Sequence, residues 1–341
     1  MIVRAFPEIH AGDAGEFVAT IRLYDPLAAV ARTHPLRWSI ARLGDALDAD
    51  AVVVQRAPFA SAAQVDQAAN ALDTCRRRGT RVLWELDDAI FCDELPGLIA
   101  TSAVDEIDHE AVARVQAHRR LLDAVDGFVC PTEALAGELR RLAPELPVSV
   151  IPVALAFDHP RWSIDAAPRG RRTIGWCGGS RVGRDLELLP PVLERAFARF
   201  PDLHFLLAGS TKYASLFRSL PPGRVAVAEW VPYDEYPSLL ARFDVALLPM
   251  EDHAYNRCKS GLKVIDYAAA GVPAVCSRTT PFAAVAGDVA AFATEPEEWL
   301  EAIERLLRYG DAERKELQCR TRSRHEVGTI ADLWWSALNG H

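Results

Sequence analysis

The sequence predicts an α/β protein of two domains, each a parallel sheet covered by helices on both faces. Three observations carry this expectation. Short β-rich apolar runs alternate with longer helical patterns over nearly the whole chain, as strand–helix–strand units require. With 341 residues, half of them hydrophobic, the chain exceeds what one hydrophobic core usually organises. Over 152–171 the pattern lapses into PVALAFDHPRWSIDAAPRGR, rich in proline and charge, which reads as an exposed connector. The expected division is 1–155, then 156–325, with 326–341 a last helix packing back toward the N-terminal domain.

In the first half the strands are read at MIVRAF, DAVVVQR, TRVLWEL, DGFVCP and PVSVIPV. The intervening SAAQVDQAANALDTCRRRG carries apolar residues at helical spacing and stops at Gly79, a natural C-cap. HEAVARVQAHRRLLDAV is a second helical stretch. The second half restarts with TIGWCGG and continues through LHFLLAG, VAVAEWV, DVALLPM, PAVCS and VAAFA. Pro190 and Pro191 are expected to kink or restart the first helix there. The segment from about Thr329 carries Trp334 and Trp335, large apolar anchors.

A formal charge of -9 argues against nucleic acid as the main partner, because phosphate-backbone binding needs a dominant basic face. The seven cysteines form no C-x-x-C pair, which disfavours structural zinc and disulfides and fits a reducing cytosol. No leader is read at MIVRAFPEIHAGD, and no apolar run approaches bilayer length. The expected location is cytoplasmic, with peripheral membrane contact left open. His109 and His118 lie nine apart and make no ligand pair, so no metal is expected. Ser102 and Ser180 lack a nucleophile-elbow context, which argues against a serine hydrolase.

Ligands of open α/β sheets bind beyond the carboxyl ends of the strands, so the strand-to-helix turns are the places to look. WCGGSRVGRDLE sets Gly178, Gly179 and Ser180 directly after a strand, where backbone N–H groups can approach an anion. Arg181 and Arg184 add charge, or are solvated arginines on a tight turn. DHAYNRCKSGLKVIDYAAAGVPAV concentrates Arg257, Lys259 and Lys263 around a helix start in an otherwise acidic protein. Ser260 or its neighbour is the expected N-cap, and the helix end with Lys259 makes a ready phosphate site. Lys263 and Asp266, three apart, share a face. They form either an ordinary ion pair or a place where a carboxylate accepts hydrogen bonds from two ribose hydroxyls. Asp87 and Asp88 end the strand RVLWEL and are candidates for a general base, for holding substrate hydroxyls, or for capping the next helix. His10, Gly12, Gly15 and Arg22 fall in the first strand-to-helix connection, a common acceptor-side location, though each singly reads as part of a polar loop with a solvated arginine.

The stretch from Tyr255 to Val275 resembles the nucleotide-binding segment of GT-B glycosyltransferases, specifically glycosyltransferase family 4 (glycosyl transferases group 1). A bacterial subgroup of that family reads Asn-x-x-Lys-Ser-x-x-Lys-x-x-Glu, then small residues and Gly-x-Pro. Asn256, Lys259, Ser260, Lys263, Asp266, Gly271 and Pro273 match it. TIGWCGGSRVGRDLELL resembles the subgroup's phosphate-contacting loop, and AEWVPYDEYPSLLARFDVALLPM its nucleobase-facing strand and turn. DADAVVVQR, RVLWELDDAIF and DGFVCPTEALAGELRRL are similar to segments of its acceptor domain.

The resemblance implies two Rossmann-like domains facing each other across a cleft. It implies that Asp266 replaces the glutamate on the donor ribose and that the helix start at Ser260 and Gly261 faces the diphosphate. Trp230, Val231 and Pro232 would then meet the base. It further implies metal-independent transfer of a sugar from a nucleoside-diphosphate sugar to an acceptor hydroxyl, in bacterial polysaccharide, glycoconjugate or natural-product glycosylation, with no cofactor beyond the donor substrate. A sugar-nucleotide epimerase and a non-catalytic sugar-nucleotide-binding partner subunit are the alternatives. Two departures stand out. Where many members carry two glutamates with seven residues between them, this chain has Cys258 and Asp266. Where many carry an arginine and a lysine on the phosphate, it has Gly179 and Arg184 or Asp185.

Overall fold

The computed structural model describes residues 1–8, 14–45, 47–93, 104, 107–164, 171–179, 184–287 and 289–340. Its strands are β1 (Ile2–Phe6), β2 (Arg37–Ile40), β3 (Ala51–Gln55), β4 (Arg81–Glu85), β5 (Gly127–Cys130) and β6 (Val148–Val150), followed by β7 (Thr173–Gly178), β8 (His204–Gly209), β9 (Val225–Ala228), β10 (Val245–Leu248), β11 (Ala274–Ser277) and β12 (Ala290–Ala293). They form two six-stranded sheets, ordered β2-β1-β3-β4-β5-β6 and β12-β11-β10-β7-β8-β9. Neighbouring strands pair parallel throughout. Every residue of β3, β5, β10 and β11 is buried, because helices cover both faces of a parallel sheet. The apolar runs read from the sequence supply eleven of these strands. β2 is the addition, a four-residue edge strand whose residues are half-buried or exposed, so it leaves no apolar run to read.

Local signals set the helix ends. Ser61 caps Ala62–Arg77 by accepting from the Gln64 N–H, and Gly79 beyond its end has φ +92°, where glycine costs least. Pro190 and Pro191 fall in the first turn of Leu189–Arg199, which restarts after the 3-10 turn Asp185–Leu188. The second helical stretch of the first half divides into the helix His109–Ala117 and the 3-10 turn His118–Ala124.

The segment after β6 departs from the expected exposed connector. Val153, Ala154, Leu155, Phe157 and Trp162 are buried. Val153, Leu155, Phe157 and Trp162 pack with Ile21 of the first half and Ile265 and Ala269 of the second, so these apolar residues among the prolines and charges form a core shared by both halves. The helix Ala331–Asn339 crosses back to the first sheet. Trp334 has no exposed surface and packs in one cluster with Val3, Ala5, Leu83 and Val129. A second crossing is the short helix Ala254–Cys258, whose Tyr255 and Cys258 are buried in the core beneath the first sheet. Among the described residues no helix is long and apolar enough to cross a membrane.

Candidate functional site

In the second sheet the strand order reverses between β7 and β10, which lie side by side while the chain leaves them toward opposite edges. Such a switch point opens a crevice at the carboxyl ends of the strands. The glycine turn follows β7 and the basic segment follows β10, so both sequence-predicted elements meet there.

Gly178 has no room for a side chain. A Cβ would overlap the Trp176 ring and lie 2.7 Å from the Lys263 ammonium. Gly179 is different, since a Cβ there would meet only the Trp230 ring at 3.7 Å, an ordinary contact. Packing does not require glycine at 179, and its missing side chain leaves backbone open to the crevice. Ser180 and Arg181 lie outside the described residues. Arg184 is half-exposed, 3.5 Å from Glu187 and 3.9 Å from Glu251.

On the facing segment, Asn256 is buried and its side-chain amide donates to Asp185 Oδ1 at 2.9 Å and to the Glu251 carbonyl at 3.0 Å. Its amide is thus occupied within the protein. Arg257 turns outward onto Asp252 at 2.8 Å. Lys259 stays half-buried, its ammonium 5.0 Å from the centre of the Tyr255 ring. The N-cap of the helix Leu262–Ala269 is Gly261, with no side-chain cap, so Ser260 is not the cap. The Val264 N–H turns back onto the Gly261 carbonyl at 3.0 Å, and the N–H groups before it in the first turn have no i−4 partner within the helix. A Cβ on Gly261 would overlap Val285, so glycine lets this helix start press against its neighbour Thr280–Ala286.

Lys263 does not pair with Asp266. Its ammonium donates to the Cys177 carbonyl at 2.5 Å and lies 5.2 Å from the centre of the Trp176 ring, which binds the helix to the end of β7. Burial lowers its pKa. Asp266 is fully buried, with Oδ2 accepting from the Tyr236 hydroxyl at 3.3 Å and Oδ1 without a partner. Burial pushes its pKa up to about 8, against the opposing pull of Lys263. A buried carboxylate oxygen with no donor is a vacant acceptor, costly unless a ligand supplies the hydrogen bond. Trp230 and Val231 are half-buried against the cluster that holds Tyr236, with the Trp230 and Tyr236 ring centres 6.3 Å apart. Phe17, from the first domain, reaches across to Tyr233 at 4.6 Å and Tyr236 at 5.0 Å between ring centres.

Asp87 and Asp88 lie beyond the end of β4, on the first sheet's own crevice. Asp87 takes a two-point ion pair from Arg56, with Nη2 to Oδ2 at 2.8 Å. Arg56 is also 3.6 Å from Asp88 and 3.5 Å from Glu8. These carboxylates surround an arginine with φ +48°, a left-handed conformation that non-glycine residues adopt at a cost. Asp88 Oδ1 is buried without a partner, so Asp88 has acceptor capacity that Asp87 has spent.

Arg22 overturns the solvated-loop reading. It sits in a π-helical turn, Thr20–Tyr24, with 2% exposure, and donates to Glu85 Oε1 at 2.7 Å and to the Ile151 carbonyl at 3.1 Å. Burial raises the Glu85 pKa to about 7, opposed by Arg22. His10 and Gly12 lie outside the described residues. His118 is structural: Nε2 accepts from the Phe59 N–H at 3.1 Å, and Nδ1 faces the Arg114 carbonyl at 2.9 Å. Sequence reasoning missed Arg56 and Glu85, and it named Asp185 only as a departure from the family pattern. A polar residue closing an apolar strand, such as Glu85 in RVLWE or Gln55 in AVVVQ, was the available signal.

Residues 171–309 match the family model described as Glycosyl transferases group 1. No curated protein sequence matches the chain. Among solved structures, an alpha-glucosyltransferase in complex with UDP and a DNA containing an HMU base is 10% identical with a TM-score of 0.66, over 99% of each chain. HepE from Anabaena, in complex with UDP and glucose, is 12% identical with a TM-score of 0.62, over 100% of this chain and 99% of that one. An S. aureus TarM variant, in complex with Fondaparinux, alpha-GlcNAc-glycerol and UDP, is 11% identical with a TM-score of 0.59; the match covers 85% of this chain and 55% of TarM. The fold is therefore GT-B, two α/β domains of the kind found in glycosyltransferases.

Proposed function

We propose that the protein is a glycosyltransferase that moves a sugar from a nucleoside-diphosphate sugar to an acceptor hydroxyl in the cleft between its domains. The observation that carries this reading is the convergence of the glycine turn and the basic helix start at one switch point, with Lys263 spanning them. The family-model match over the same residues supports it, as do the UDP complexes of the similar structures.

In this reading the second domain holds the donor and the first presents the acceptor, with the C-terminal helix belonging to the first. Backbone N–H groups at Gly178–Gly179 and at Gly261–Leu262, with the Lys259 ammonium, stabilise the diphosphate as it leaves and gains charge. The reaction is metal-independent, as in glycosyltransferase family 4, which the motif from Asn256 to Asp266 resembles. Asp266 Oδ1 accepts from a ribose hydroxyl, and Trp230 and Val231 border the base. Asp88 accepts from an acceptor hydroxyl, as base or as holder.

A thermal-shift panel of UDP, GDP and dTDP, followed by transfer assays with the matching sugars, tests the reading, because a ligand that binds only the folded state raises the melting temperature. Lys259→Ala should weaken diphosphate affinity about tenfold, the scale of one charge-assisted hydrogen bond, without altering the circular dichroism spectrum. Unchanged affinity in calorimetry rejects the role of Lys259. Binding without turnover toward any acceptor would instead indicate a non-catalytic subunit, and interconversion of free sugar nucleotides an epimerase.

A further inference from the structure

Asp185 is charged, buried and outside the residues assigned above to donor contact. It opens the 3-10 turn Asp185–Leu188 that follows the glycine loop, and it is only 4% exposed. Its Oδ1 accepts from the Glu251 N–H at 2.8 Å and from the Asn256 amide at 2.9 Å. Asn256 also donates to the Glu251 carbonyl at 3.0 Å. The two bonds to Asp185 join the chain leaving β7 to the chain leaving β10, and the third braces the β10 side, within a few residues of Gly179 on one side and Lys259 on the other. Lys263 ties the same two sides at the end of β7 itself, through the Cys177 carbonyl, whereas Asp185 ties them beyond the glycine turn.

Burying a carboxylate is costly, so a partnered buried charge is weak evidence for stability, and in some proteins such a charge fixes one geometry. The geometry fixed here is the separation between two anion-binding elements on neighbouring strands. We propose that Asp185 is a positioning residue that sets the spacing between the glycine turn and the Lys259–Gly261 helix start, so that the crevice accepts two linked phosphates in preference to one. The inference rests on the donor-site reading above and adds to it a residue and a selectivity. Asp185 acts through Asn256 and Glu251, and the bound phosphates need not touch it.

The test compares nucleoside diphosphate with nucleoside monophosphate in calorimetry, using UDP and UMP, GDP and GMP, and dTDP and dTMP. Asp185→Leu, close in size but without acceptors, should lower diphosphate affinity by about tenfold or more while monophosphate affinity falls less than about threefold. Asp185→Asn keeps a carbonyl oxygen for both donors and should stay within about threefold of the parent for each ligand. A purely structural role predicts equal losses for both ligands. Equal losses, no loss, or an Asn variant as impaired as the Leu variant each overturn the proposal. If Asp185→Leu does not fold, Asn256→Ala removes one of the two cross-links, leaving the Glu251 N–H bond, and must show a selective diphosphate loss in the same direction. A parent protein that binds no nucleoside diphosphate overturns the donor-site reading itself, and the spacing role with it.

Discussion

At Asp266 the requirements of folding and of ligand binding oppose each other. Its carboxyl is buried, one oxygen has no partner, and its pKa is raised from 3.8 to about 8. As pH rises from the lower value to the upper, the unfolded chain gives up this proton before the folded one does. Folding stability therefore falls across that window and levels off above it. Asp266→Asn removes the titration. The variant should melt higher than the parent at pH 8, with a gap of about 1 kcal/mol or more that shrinks toward pH 4, while binding the nucleoside diphosphate more weakly. A gap independent of pH in melting curves would show that the carboxylate is not the destabilising group. The motif residues of the basic segment stood out in the sequence because cations gathered at a helix start are conspicuous in an acidic chain. Asp185 and Arg56 did not, because their roles depend on partners that folding brings from other strands: Asn256, 71 residues away, and Asp87, 31 residues away.

Individual elements were legible wherever burial left a periodic trace. Fully buried parallel strands show as unbroken apolar runs, whereas the half-exposed edge strand β2 shows none. The buried segment after β6 was obscured by its prolines and charges, since its apolar residues pack against both halves of the chain and follow no single period. The helix Glu133–Leu142 illustrates how one residue joins two elements. Thr132 accepts from the Leu135 N–H at 3.2 Å as its N-cap and donates to the Cys258 carbonyl at 2.9 Å, across to the second half of the chain. Cys258 is thus a buried packing contact, and burial pushes its thiol pKa up to about 12. Thr132→Val should cost about 1–2 kcal/mol in urea denaturation, and Thr132→Ser should restore most of it. An unaltered midpoint for the valine variant would show that neither hydrogen bond contributes.

The whole molecule places two sheet crevices, each at a strand-order reversal, and joins the halves through shared apolar clusters and a returning C-terminal helix. Trp334, with no exposed surface beneath the first sheet, should cost about 3–5 kcal/mol when replaced by alanine. Denaturation followed by circular dichroism checks this, and a loss below about 1 kcal/mol would mean that the helix is not integral to that core. The central claim is that the crevice between β7 and β10 captures a diphosphate. A crystal structure with whichever of UDP, GDP or dTDP gives the largest thermal shift tests it most directly. The prediction is phosphate oxygens against the backbone N–H groups at Gly179 and at the Gly261–Leu262 helix start, within reach of Lys259, and a ribose hydroxyl on Asp266. A diphosphate bound away from both elements would contradict it.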